Sequence, residues 1–154
     1  MSTTAETSPV SPTRVRLASI ADVDAVFALV EQLGIGEKPI RESFAGAFAH
    51  AVEPSSNHIL LVAELDGVVS AYAYTTIERL LYTNGDSAQL QELAVNTPAR
   101  DRGLGSLLVA AIEDECRSRG VRQLTVASSH AARFYERLDY RSTSDFLKKS
   151  FVSD

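Results

Sequence analysis

The stretch Gln89–Leu108, QLQELAVNTPARDRGLGSLL, constrains this chain more than any other. An apolar run from Leu90 to Val95 stops at Asn96-Thr97-Pro98, and a basic turn, Arg100-Asp101-Arg102-Gly103-Leu104-Gly105, opens straight into a helical pattern. The spacing predicts a strand, a loop and a helix. Gly103 and Gly105 lack a Cβ, so backbone there can approach a ligand closely or take a positive φ. The first free N–H groups of the helix and two guanidinium groups converge on the same turn. Such a turn binds anions, phosphates above all.

Two common phosphate loops fail on the residues. A Walker loop needs Gly-Lys followed by Ser or Thr, and no lysine stands near Gly103 or Gly105. A dinucleotide fingerprint needs a third glycine where Leu108 stands, early in a βαβ unit, and this loop lies two-thirds of the way along the chain.

Composition narrows the setting. The 154 residues are enough for one core, and 45% hydrophobic with 23% charged residues is the balance of a soluble globular protein. A net charge of −5 argues against general nucleic-acid binding and suits a cationic partner. One cysteine excludes an internal disulfide and a thiolate zinc site, so a cytoplasmic location is expected. No apolar run is long enough to span a membrane. The first residues, MSTTAETSPVSPT, have no signal-peptide order. Residues 1–12 are expected to be a disordered tail and 13–154 one domain.

Order is expected to begin with a brief strand at Arg14–Ala18. Ser19 and Asp22 are candidate caps for a helix with Val23, Val26, Phe27, Val30 and Leu33 on one face, and Gly34 and Gly36 stop it. Pro39 opens a second helix, with Ile40, Phe44, Ala47, Phe48 and Ala51 along its stripe. HILLVAEL, Asp66-Gly67 and VVSAYAYTTI read as a β-hairpin, and Arg79–Ser87 as a connection that could line a site. The helix Gly103–Arg119 is expected to turn Leu104, Leu107, Leu108, Ala111 and Ile112 to the sheet, with Cys116 a small core residue. Val121–Ala127 is then a strand parallel to the Gln89 strand. Ser128-Ser129 cap a last helix with Ala131, Phe134, Tyr135 and Leu138 on one face, Asp139 ends it, and Tyr140–Lys149 supplies a final strand or two. The order β-α-α-β-β-β-α-β-α-β is an α+β fold around one mixed, mostly antiparallel sheet.

Arg100, Gly103 and Gly105 fit the coenzyme A loop of the GCN5-related N-acetyltransferases: Arg or Gln, two residues, Gly, one residue, Gly or Ala. HAARFYERLDY resembles the same family's FYEKLGF signature at Ala131, Phe134, Tyr135, Glu136 and Leu138. Two separate motifs at the expected separation make the likeness specific, and it runs from about Arg14 to Lys149. Asp139 departs from the family's glycine, and Ser128 stands where many members carry a coenzyme-touching asparagine.

The resemblance implies an acetyl-CoA-dependent N-acetyltransferase that works by direct transfer in a ternary complex, with no metal. Backbone groups of Leu93, Ala94 and Val95 would meet the thioester and pantetheine arm. Arg100, Asp101, Arg102, Gly103, Leu104, Gly105 and Ser106 would surround the pyrophosphate, with Ser128 as a further coenzyme contact, and Tyr135 would protonate the departing thiolate. The rival is a non-catalytic acyl-CoA-binding module of the same fold.

Such a reaction needs a base, because an alkyl amine is mostly protonated at neutral pH. Glu92 is the first candidate, the one carboxylate inside the strand before the loop, on a face shared with Leu90 and Ala94. The residues leave open whether it acts as base or instead faces solvent or pairs with an arginine. Glu78, His58 and Asp86 are weaker candidates, and Tyr72, Tyr74 and Tyr82 could line an acceptor pocket. The acceptor amine itself is not legible. No nucleic-acid or membrane partner is expected, and a homodimer through sheet or helix edges is compatible with the family.

Overall fold

The computed structural model describes residues 13–128 and 131–152; the tail expected over residues 1–12 and the cap expected at Ser129 lie outside the described residues. Its elements are β1 (Thr13–Leu17), α1 (Val23–Glu31), α2 (Arg41–Ala51), β2 (His58–Leu65), β3 (Val68–Arg79), β4 (Asp86–Val95), α3 (Leu104–Ser118), β5 (Gln123–Val126) and α4 (Ala132–Arg137).

Five strands form one sheet in the order β1-β2-β3-β4-β5. The first four are antiparallel neighbours, and β5 lies parallel to β4 because α3 carries the chain back across the sheet. Asp66 and Gly67, both at positive φ (53° and 80°), make the two-residue turn that sets the β2–β3 register. The fold is α+β with a mixed, mostly antiparallel sheet.

Alternation along the strands divides the core. Ile59, Leu61, Ala63, Ala71, Ala73 and Ile77 pack on one face against Leu104, Leu108, Val109 and Ile112 of α3 and Tyr135 of α4. Leu60, Val62, Tyr72 and Ala94 pack on the other against Val26 and Leu29 of α1 and Phe48 of α2. Leu107 is 43% exposed, so Val109 holds the core position expected of it. The α1 face is steadied by Arg16, which donates to Asp22 through both terminal nitrogens (2.8 and 2.9 Å) and to Glu64 through Nε (2.6 Å). Ser19 closes the turn before α1, its N–H donating to Asp22 Oδ2 at 2.8 Å.

The strand expected over Tyr140–Lys149 does not form; residues 140–150 have no regular structure. Phe146 and Leu147 are adjacent, so an extended chain would send them to opposite faces, and both stay solvent-exposed. Arg79–Ser87 is not one connection either. Arg79 pairs with Asp86 in the ladder, leaving a short hairpin tip.

Candidate active site

The β4–β5 ladder covers only four residue pairs and ends at Leu90↔Val126. On its other side β4 stays paired with β3 as far as Ala71↔Val95. Leu93, Ala94 and Val95 therefore lie past the last β5 pair, where no strand among the described residues pairs with that side of β4. Such an edge offers main-chain groups to an extended ligand lying beside it.

Directly after that edge comes the predicted turn. Asn96 anchors it, its N–H donating to Ser70 O at 2.7 Å, and Thr97–Ala99 form a 3-10 turn. Gln32, just past α1, holds the same loop from the opposite layer: its Nε2 donates to Asn96 Oδ1 (2.8 Å) and its Oε1 accepts from Thr97 N (3.1 Å). No sequence pattern marked Gln32, since its partners are 64 and 65 residues away. Arg100, Asp101 and Arg102 are exposed, and Arg100 Nε donates to Val95 O at 3.3 Å.

Asp101 and Gly103 both have left-handed backbone, φ 66° and 78°. Gly103 starts α3 with no side-chain cap on the helix, and a Cβ built there would meet nothing within 4 Å. The turn is thus open where an anion would approach the uncapped amides. Gly105 has a different role. A Cβ on it would lie 3.3 Å from Phe134 Cζ and 4.0 Å from Leu93 Cδ2, so this glycine lets α3, α4 and β4 meet.

Tyr135, the neighbour of Phe134, is 7% exposed and packs edge-on to Phe134 and Tyr140, with ring centroids 4.9 and 5.7 Å apart. Burial pushes its phenol up to about 12. Ser128 Oγ accepts from Ala131 N at 3.0 Å, which places this serine at the start of α4. Asp139 ends that helix at φ 71°, a left-handed position that Asp tolerates better than most residues. Cys116 is buried, and burial pushes its thiol up, as suits a core residue.

Glu92 does not share a face with Leu90. Tyr74 pairs with Glu92 and Thr75 with Leu90, so Gln91 is an extra residue, a β-bulge. Leu90 joins the core under α3, whereas Ala94, two residues beyond Glu92, joins the core under α1. The side chain of Glu92 accordingly sits on the α1 face, where it accepts a hydrogen bond from the Tyr72 hydroxyl at 2.7 Å. No arginine pairs with it among the described residues. It borders a cavity of about 650 Å³ lined by Leu33, Gly36 and Pro39 and charged by Glu31, Glu37 and Lys38.

The weaker candidates gather elsewhere. His58 and Glu78 line a separate hollow with His50, Tyr74 and Arg79, and His58 Nε2 lies 3.0 Å from Glu53 O. Asp86 pairs with Arg79 at 3.4 Å. Tyr72 is 1% exposed and touches the first cavity only through Glu92, while Tyr82, 75% exposed, sits on the hairpin tip at the far end of β4.

The sequence pattern of the acetyltransferase (GNAT) family matches residues 25–140. This chain belongs to that family. The acetyltransferase is 29% identical over 111 residues to glucosamine 6-phosphate N-acetyltransferase 1 of Oryza sativa subsp. japonica, covering 70% of this chain and 67% of the relative. It is also 29% identical over 135 residues to aminoalkylphosphonate N-acetyltransferase of Salmonella typhimurium, covering 83% and 84%. Among solved structures it resembles glucosamine-6-phosphate N-acetyltransferase of Arabidopsis thaliana, with a TM-score of 0.80 at 23% identity over 91% of this chain and 99% of that one. The protein is thus an acetyl-CoA-dependent N-acetyltransferase. No helix among the described residues is long and apolar enough to cross a membrane.

Proposed function

We propose that this acetyltransferase moves the acetyl group to a positively charged primary amine by direct transfer in a ternary complex, with Glu92 as base and Tyr135 as acid. The observation that carries the coenzyme half is the ladder that stops at Leu90↔Val126, leaving Leu93–Val95 open just before an uncapped helix start. Bound acetyl-CoA supplies the acyl carbon and a thiolate leaving group. Arg100, Arg102 and the amides of Gly103, Leu104, Gly105 and Ser106 hold its diphosphate, with Asp101 turned outward and Ser128 at the edge. Backbone of Leu93–Val95 orients the thioester arm, and a strand N–H meets the charge that develops on the acyl oxygen.

Glu92 takes a proton from the acceptor ammonium, directly or through water, and the neutral amine then attacks. As the C–N bond forms and the C–S bond breaks, Tyr135 gives its proton to sulfur and regains one from the amine nitrogen. One proton is released to solvent per turnover.

Three carboxylates against one lysine around the acceptor cavity favour a cation. That balance is opposite to what the phosphate or phosphonate groups in the relatives' names would require. A thiol-release assay should therefore give faster turnover with spermidine and lysine peptides than with glucosamine 6-phosphate or an aminoalkylphosphonate. Faster turnover of the anionic amines would overturn this acceptor class.

The partner reading is a homodimer. β5 is an edge strand, and Phe146, Leu147, Phe151 and Val152 are exposed in the isolated chain. Sedimentation should give twice the chain mass, and a monomer at micromolar concentration would end that idea. A cytoplasmic location suits the single, buried Cys116.

A further inference from the structure

We infer that Tyr72 is a positioning residue that fixes the Glu92 carboxylate in its working orientation, an inference resting on the reading of Glu92 as base. The Tyr72 ring is 1% exposed and packs with Leu60, Val62, Phe48 and Ala94, so its hydroxyl has one place to point. That place is Glu92 Oε1, 2.7 Å away. Hydrogen bonding of a buried phenol to a carboxylate is charge-assisted and holds both side chains in one rotamer. Oε1 is thereby committed to the protein interior, leaving Oε2 for the cavity beside α1. Across the ladder from Glu92, Tyr74 makes no hydrogen bond to it, which gives an internal control.

The charged and titratable groups around Glu92 are Tyr72 and Tyr74 on β3, Glu31 at the end of α1, and Glu37 and Lys38 in the loop that follows. All but one stay the same in Tyr72→Phe, so their influence cancels when that variant is compared with the native enzyme.

Two measurements test this. In the ligand-free enzyme, crystal structures should show the Glu92 side chain leaving its native rotamer in Tyr72→Phe and keeping it in Tyr74→Phe, since only the first variant removes the hydroxyl that holds the carboxylate. With spermidine as the probe amine, Tyr72→Phe should lower kcat about tenfold without changing the acetyl-CoA KM, and add no further loss in a Glu92→Gln background. An unmoved Glu92 side chain in Tyr72→Phe, or a loss that multiplies with that of Glu92→Gln, would overturn the positioning role. If Glu92→Gln alone keeps native turnover and pH profile, the base assignment is what fails, and the ligand-free structures still report whether Tyr72 governs the carboxylate.

Discussion

Leu90 and Glu92 stand two positions apart on one strand yet face opposite layers of the molecule, because Gln91 between them is an extra residue in the β3–β4 ladder. A regular strand would have driven the Glu92 carboxylate into the apolar core under α3, where a charge without a partner costs several kcal/mol or is neutralised. The bulge instead delivers it to the cavity beside α1, three residues before β4 ends at Val95.

Gly105 tests the junction of loop, strand and final helix. Gly105→Val should push Phe134 and Leu93 aside, because even one Cβ would sit 3.3 Å from the Phe134 ring. Acetyl-CoA affinity by calorimetry should fall at least about tenfold, and Gly103→Ala should act through backbone strain instead, its φ of 78° being costly for any residue with a side chain.

Tyr135→Phe should reduce kcat by about 10²-fold while leaving acetyl-CoA binding nearly unchanged. Burial pushes the phenol up to about 12, so its proton stays in place throughout the neutral and mildly alkaline range. Consequently any alkaline limb of the native pH–rate profile below about pH 10 should persist in this variant; its disappearance would assign that limb to Tyr135.

Thr75 is fully buried and its Oγ1 has no hydrogen-bond partner. Replacing it with the isosteric valine removes an unpaid desolvation cost. Thr75→Val should stabilise the fold by about 1 kcal/mol, seen as a Tm rise of roughly 2–4 °C in a thermal melt.

Acid should weaken the α1 side of the molecule first. Hydrogen bonds from Arg16 hold the Asp22 carboxyl below the usual carboxylate range near 4. A depressed folded-state value means that the stabilisation is present above the unfolded-state value and is lost as pH falls through the lower, folded one. Stability measured by urea melts should drop as pH falls below about 4 in the native protein and more shallowly in Asp22→Asn, which should itself cost roughly 2 kcal/mol at pH 7.

Local chemistry made much of the fold readable. Asp66-Gly67 can only make one kind of tight hairpin, and Asp139 was readable as a helix stop because Asp tolerates the left-handed conformation. The loop Arg100–Gly105 joined a strand to a helix, as its alternating and then helical apolar spacing requires. Where reading failed, the deciding partner was distant in sequence or the pattern lacked a second reason. Leu107 fits a helical stripe as well as Val109 does, and only the tilt of α3 on the sheet selects between them. Tyr140–Lys149 carries apolar side chains only at Tyr140, Phe146 and Leu147 and has no ladder partner within the described chain.

The sequence by itself determined the strand, the glycine-bearing turn and the helix, and with them the family, because each depends on neighbours a few residues away. Which way Glu92 points was decided only in the folded sheet. A bulge is a mismatch between two strands rather than a property of either, so it exists only once β3, brought alongside by its hairpin, pairs Tyr74 with Glu92 and leaves Gln91 unmatched.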